Sequence, residues 1–248
     1  MKRAATSFFP VQRHADLPFA PVARPCLIGP SLGAWLALAT LSASLTGCNV
    51  LAFAGMAAEN YKRSSTHAVA PEYDNLRGES VAVIVTGDRV LQGSHPTLFT
   101  RMSSRATERL VENKDLIGIT GFVPPLALTE FQISHPNWVA WGYDRLAEEL
   151  GVKRLIVIEM FDYRLTEVGN QYLWDAVAAA RVGVIEADGF SPGEFVFRKE
   201  IQVHFPDQTG VGPEDLSAQQ VQANLDKRFI DRVTWLFYEH QEPYYPDY

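Results

Sequence analysis

The spacing of apolar residues changes several times along the chain, and each change marks an element. From Ser80 to Asp88 the run Val81-Ala82-Val83-Ile84-Val85 is apolar without alternation. That is the pattern of a central strand covered on both faces. From Pro96 to Asn113 the period lengthens, and Leu98, Met102, Ala106 and Leu110 form one helical stripe. Leu116–Thr120 reads as a short second strand, ended by Gly121 and the Pro124-Pro125 pair. Leu126–Ile133 keeps no clear period and makes at most one helical turn. Pro136–Leu150 reads as a second helix with Val139, Tyr143, Leu146 and Leu150 on one face, and Gly151 stands where a C-terminal cap belongs.

A third apolar strand runs from Arg154 to Tyr163. Trp174–Ala187 and Glu194–Phe205 then form a hairpin around Asp188-Gly189, with a loop through Ser191, Pro192 and Gly193. The last helix is Asp215–Glu239, striped by Leu225, Phe229, Val233 and Phe237. The element order is β-α-β-α-β-β-β-α with three main helices. Crossovers make the first three strands parallel, and the hairpin is antiparallel. The fold class is therefore α/β, with a single mixed sheet of about five strands covered by helices.

A longer apolar run, Leu27–Ser44, precedes all of this and ends in Leu45-Thr46-Gly47-Cys48. Lys2, Arg3, Arg13 and Arg24 stand before it against one acid, Asp16. A cationic start, an apolar stretch and small residues at the cut make a secretory signal. Leucine, two small residues and cysteine at its end resemble the bacterial lipoprotein pattern. In that pattern the cysteine is acylated and the chain is cut just before it, which implies lipidation at Cys48, with Leu45, Thr46 and Gly47 as the recognised residues. Two or more acyl chains, at about 0.8 kcal/mol per buried methylene, hold a protein stably on a membrane. The alternative is an uncleaved transmembrane anchor, since about 20 apolar residues span a bilayer and the run continues through Val50–Ala58. Asn49 is not the Asp that holds enteric lipoproteins in the inner membrane, so the outer membrane is the expected location.

The divisions are thus a signal peptide at 1–47, a lipidated anchor and tether at 48–79, a periplasmic α/β domain at 80–239 and an aromatic tail at 240–248. From Cys48 onward about 200 residues remain, enough for one domain. The chain carries a net charge of −7, and removing the leader makes it more acidic still. Such a chain gains nothing from a phosphate backbone, so nucleic acid is not an expected partner. The only cysteines are Cys26 and Cys48. Lipidation of one and loss of the other leave neither a disulfide nor a thiolate site.

Candidate chemistry is sparse. Ser94-His95-Pro96 and Ser134-His135-Pro136 repeat a tripeptide before each of the first two helices. The serines are placed to cap those helices, and the histidines are placed to act as bases or ligands. His67, His204 and His240 are isolated, and no third ligand stands at metal spacing. Asp144, Glu148 and Glu149 read as a solvated helix face. Trp138, Trp141 and Trp174 suit either core packing or the walls of a cleft. Glu159 on the third strand, Arg181 on the fourth, and Arg198, Glu200, Gln202 and His204 on the fifth place charges within apolar strands. A cross-strand ion pair on a solvated face accounts for them, and a polar binding face is the alternative. No nucleophile elbow, phosphate loop or dinucleotide fingerprint occurs, so no catalytic residue, metal site or cofactor is expected. Tyr244, Tyr245 and Tyr248, held between Pro243 and Pro246, suit either packing on the domain or contact with a partner protein.

Three segments carry a family resemblance: Val81-Ala82-Val83-Ile84-Val85, the run Ala147-Glu148-Glu149-Leu150-Gly151-Val152 into Leu155-Ile156-Val157-Ile158, and the final hairpin. With the lipidation signal, they resemble periplasmic lipoprotein domains related to the amino-terminal domain of the Tol-Pal translocation protein. Penicillin-binding-protein activator and curli-secretion lipoproteins share that architecture. The resemblance implies a non-enzymatic interaction or assembly component of the cell envelope, facing the periplasm, that contacts membrane lipid through Cys48 and binds another envelope protein. The alternative is a periplasmic ligand-binding domain or hydrolase using Glu159, His95 or His135.

Overall fold

The computed structural model describes residues 65–170 and 172–243. Five strands form one mixed sheet: β2 (Ser80–Gly87), β3 (Gly121–Phe122), β4 (Arg154–Thr166), β5 (Trp174–Glu186) and β6 (Phe195–Phe205). Their spatial order is β3-β2-β4-β5-β6. β2 pairs in parallel with β3 and β4, while β4, β5 and β6 form an antiparallel meander. The fold class, the parallel set and the antiparallel hairpin are as the pattern predicts.

The unbroken apolar run of β2 is explained by what lies on each side. Val81, Val83 and Val85 enter one core and Ala82 and Ile84 the other. β4 divides the same way, with Ile156, Ile158 and Met160 on one side and Leu155 and Val157 on the other. The first core is closed by α2 (Leu98–Glu112) and α6 (Ala218–Thr234). Ala176, Ala178 and Ala180 of β5 face this core, and their small side chains leave room for Leu225 and Phe229 of α6. The second core is closed by α4 (Pro125–Ser134) and α5 (Tyr143–Leu150), through Leu128, Leu146 and Ala147.

One buried charge ties the first layer together. Asp226 of α6 is 0% exposed. It accepts from Arg101 Nε at 2.8 Å, Arg105 at 3.1 Å and the Tyr163 hydroxyl at 2.7 Å. Burial, then the bond to Asp226 and its charge, push the Tyr163 phenol above its ordinary value. A carboxylate so buried is tolerable because its lone pairs are occupied.

The structure corrects several expected boundaries. Four helices of eight residues or more occur among the described residues, not three, because Pro125–Ser134 is a full helix. Its stripe is blurred: Leu126 and Ile133 are exposed while Leu128 is buried. A short α1 (Arg89–Ser94) was also unforeseen. The expected strand at Leu116–Thr120 is instead α3 (Lys114–Ile117), stopped by Gly118 at φ +80°. The strand comes later, at Gly121–Phe122. The expected helix at Pro136–Leu150 is broken: Trp138–Ala140 is a 3-10 turn, Gly142 is extended, and α5 starts at Tyr143. Gly151 does cap it, at φ +65°.

The expected tether also changes. Within 48–79, Thr66–Val69 forms β1, which pairs with β7 (His240–Pro243) from the expected tail. Tyr73 and Leu76 are buried in the first core, and the amides of Glu72 and Tyr73 both donate to the Leu236 carbonyl at 3.0 Å. His240 stacks on Trp235 at 4.5 Å between centroids, and Arg232 bonds Glu242 at 2.6 Å. Residues 65–79 therefore belong to the folded unit. The polar residues of this stretch hid its two apolar anchors, three positions apart.

Val83 is 2% exposed on the central strand. Val83→Asp should bury an unpaired carboxylate at a cost of several kcal/mol, half or more of a marginal domain's stability. Loss of the soluble fold, or a melting temperature lowered by about ten degrees or more, is the expected outcome. A variant that melts within a few degrees of wild type would contradict the placement of β2.

Candidate functional site

Parallel strands with crossovers on opposite faces leave a crevice at their carboxyl ends, where the connections diverge. Here α2 returns the chain from β2 to β3 over one face, and α4 and α5 return it from β3 to β4 over the other. A cleft of about 760 Å³ opens at this point. Thr86, Gly87 and Asp88 at the end of β2 form one side. The segment Trp138–Tyr143 forms the wall, and Glu159 and Phe161 of β4, Arg181 of β5 and Glu200 of β6 form the floor.

The floor is a charge ladder set by strand register. Glu159 stands opposite Arg181, and Arg181 opposite Glu200. Arg181 reaches Glu200 Oε1 at 2.8 Å and Glu159 Oε2 at 3.8 Å. The Tyr143 hydroxyl donates to Glu159 Oε1 at 3.2 Å. Burial chiefly, then the Glu159 charge and its hydrogen bond, raise the Tyr143 phenol above its ordinary value. The Tyr143 ring packs on Phe195 at 5.0 Å, and the Arg145 guanidinium lies 3.9 Å over Trp141. Phe161 presents 53% of its surface.

Beyond the cleft the same sheet face stays polar. Ala179 lies between Asp162 and Gln202, and Val177 between Arg164 and His204. Both small residues are buried under these longer neighbours. Gln202 Nε2 meets His204 Nε2 at 2.9 Å. The cross-strand ion pairs expected from strand parity are thus present, and they floor a cleft.

The other candidates divide plainly. The two Ser-His-Pro tripeptides do not cap the starts of helices. Each ends one: His95 closes α1 and His135 closes α4, with near-identical backbone angles. Each histidine amide bonds the carbonyl four residues back, at 2.9 Å. Proline blocks continuation of the helix, which is why the motif stops one rather than starting one. The His95 ring packs edge-on to Tyr163 at 5.0 Å, and His135 sits between Phe131 and Trp141, with Nδ1 3.0 Å from the Phe131 carbonyl. Neither lines the cleft.

Trp138 and Trp141 line the cleft, whereas Trp174 donates to the Leu216 carbonyl at 2.8 Å and packs on the first core. Asp144, Glu148 and Glu149 are exposed on α5. Among the described residues no group of three His, Cys, Asp or Glu side chains is placed to hold a metal. Leu45, Thr46, Gly47, Cys48, Tyr244, Tyr245 and Tyr248 lie outside the described residues. Among the described residues no helix is long and apolar enough to cross a membrane.

Two residues of the cleft, Tyr143 and Phe161, were not picked out as site residues from sequence. Tyr143 looked like part of an apolar stripe, and its hydroxyl partner Glu159 comes from the next element. Glu159→Gln should let the Tyr143 phenol ionise at lower pH, because it removes the charge that holds it up. In alkaline difference titrations followed in the tyrosinate absorption band, one phenol should titrate earlier than in wild type. The difference should vanish in the Tyr143→Phe background. A difference that persists there would mean the two groups are not coupled.

No family model and no curated protein matches the chain. Among solved structures, a dodecamer of a PelC point variant from Paraburkholderia phytofirmans is 14% identical, with 70% of this chain and 98% of that chain covered and a TM-score of 0.41. Lipoprotein GNA1162 from Neisseria meningitidis is 10% identical, with 62% and 96% covered and a TM-score of 0.41. Protein XCC0632 from Xanthomonas campestris, described by the family model DUF330, is 9% identical, with 71% and 88% covered and a TM-score of 0.37. Likeness at this level assigns the chain to no family and gives it no activity.

Proposed function

We propose that this chain is a lipid-anchored component of a bacterial cell envelope that works by holding a partner rather than by catalysis. The anchor reading rests on Leu45-Thr46-Gly47-Cys48 at the end of an apolar run with a cationic start. The binding reading rests on one observation: the charged groups on the floor of the cleft are tied to one another and to Tyr143. Tyr143 bonds Glu159, and Arg181 bridges Glu159 and Glu200. Catalytic groups are paired with one another too, but among the described residues no serine, cysteine or histidine lines this cleft to serve as nucleophile or base. A ladder of mutually paired groups instead presents a fixed pattern of donors and acceptors, which serves recognition. Its volume of about 760 Å³ also falls in the range of small-molecule sites, which favours a ligand-binding domain as the second reading.

In this reading the domain faces the periplasm, on the outer membrane since Asn49 follows the cysteine. The partner is another envelope protein. β1 and β7 pair so that Thr66 stands opposite Pro243, the residue before the tyrosine tail in sequence. Tyr244, Tyr245 and Tyr248 then make a partner contact, since tyrosine orders at small entropic cost and keeps its hydroxyl in water.

Mass spectrometry of the membrane fraction should find a mature chain that starts at Cys48 and carries acyl mass. A soluble product, or one that retains residues 1–47, would refute lipidation. Deleting residues 244–248 tests the tail. Partner contact predicts an unchanged melting temperature and loss of a co-purifying envelope protein. A melting temperature lower by several degrees would show instead that the tail packs on its own domain. An unchanged melt with unchanged partners would remove the tail from the proposal.

A further inference from the structure

The sheet is left open along one side of β2. The Val81 carbonyl accepts from the Val123 amide at 3.0 Å, and the Glu79 carbonyl from Thr120 at 3.0 Å, so the odd-numbered peptide groups face β3. The Ser80 carbonyl bonds Lys153 at the start of β4, so the even-numbered groups face the other way. β3 pairs only with Ser80 and Val81. The ladder stops there for a chemical reason. The next donor, two residues beyond Val123, would be the amide of residue 125, which is a proline and has none.

Ser103 of α2 supplies the missing donor, its hydroxyl bonding the Val83 carbonyl at 2.9 Å. Val85 is next on the same side, since backbone groups alternate along a strand. Among the described residues nothing bonds its N–H or its C=O. Yet Val85 is only 4% exposed. A buried peptide group without a partner is rare in folded proteins and calls for a physical reason.

A groove lies at this spot. It encloses about 470 Å³ between α2 and α4, and Val85 lines it. The α2 wall runs along β2, with Ser103 at Val83 and the Phe99 ring against Gly87. Leu128 and Thr129 of α4 stand opposite. None of the lining residues carries a charge. The rim has Ile133, 76% exposed, and Val139, 68% exposed. The groove thus continues the line that β3 leaves, with a free backbone donor and acceptor on its floor and uncharged side chains, polar and apolar, on its walls.

We infer that this groove binds an extended, uncharged segment of a partner protein, which takes up the line of β3 and pairs with Val85. The inference rests on the reading that the domain works by holding another protein, and names the surface that does so. An extended chain offers one N–H and one C=O at each position, the pair that Val85 lacks. A segment of about four residues spans the roughly 13 Å from Val83 to Gly87. A charged side chain entering the groove would lose water and find no counter-ion, which excludes charged segments.

Hydrogen exchange and peptide binding on the full chain test this. In the free protein the Val85 amide should exchange at least tenfold faster than those of Ile84 and Thr86, which face β4. The probe is a blocked hexapeptide, acetyl-Thr-Val-Thr-Val-Thr-Val-amide. It should slow Val85 exchange and change the fluorescence of the tryptophans, of which Trp138 lines the groove. Its fully N-methylated analogue keeps the side chains and loses the donors, so it should bind at least tenfold more weakly. Ile133→Lys, at an exposed helical position, should leave the melting temperature unchanged and weaken binding at least fivefold. Three outcomes would overturn the inference: equal binding of the methylated analogue, no binding up to about 1 mM, or binding that leaves Val85 exchange unchanged. Any of these, with Cys48 acylated and a partner still lost on tail deletion, would refute the groove and leave the anchored-component reading standing.

Discussion

Burial of β2 and β4 on both faces is the constraint from which the rest of this architecture follows. A strand pair covered on both sides needs helices on both faces, and the crossovers between the parallel strands supply them. α2 and α6 close the first face along its length. α5 is only eight residues long and covers part of the second. Where its cover ends, the residues facing outward on β4, β5 and β6 turn from Leu155, Val157 and Ile185 to Glu159, Arg181 and Glu200. The cleft is the border between the covered and the open half of a single sheet face. Its polar floor is what a half-exposed sheet requires, and its aromatic wall is the free side of the segment that leads into the covering helix.

The two layers are held in different ways. The second is apolar, built on Leu128, Leu146, Ala147 and Val152. The first adds Asp226, which gathers Arg101 and Arg105 of α2 and Tyr163 of β4 onto α6. Replacing such a network wholesale with apolar residues can be neutral, whereas removing one member leaves uncompensated charge in a buried place. Asp226 thereby joins α6 to both α2 and β4 through side chains that must all be in place.

Much of this was legible in the sequence because burial writes itself into periodicity. Two-sided burial gave β2 and β4 their unbroken runs, and one-sided burial gave α2 and α6 their stripes. The strand parity of Glu159 and Arg181 foretold the cross-strand ladder. Where the reading failed, local chemistry outweighed pattern. Gly118 turned an apolar stretch into a capped helical turn, and Gly142 broke a helix whose stripe looked continuous. β1 and β7 were hidden because a two-stranded pairing between distant polar segments leaves no periodic trace. Asp226 was invisible for the same reason, since its partners lie more than sixty residues away in sequence. The cleft required that the wall and floor be brought together from four separate elements, which no single window of sequence contains.

The Pro124-Pro125 pair joins these features. It ends β3 after two residues, removes the donor that Val83 would have used, and places proline in the first turn of α4, where a missing amide costs nothing. One dipeptide therefore opens the sheet edge and starts the helix that walls the groove beside it. The cleft and the groove then meet at Trp138 and Val139, which line both. These two residues sit in a 3-10 turn, between a helix ended by His135 and one begun at Tyr143. The two concavities therefore share one short wall.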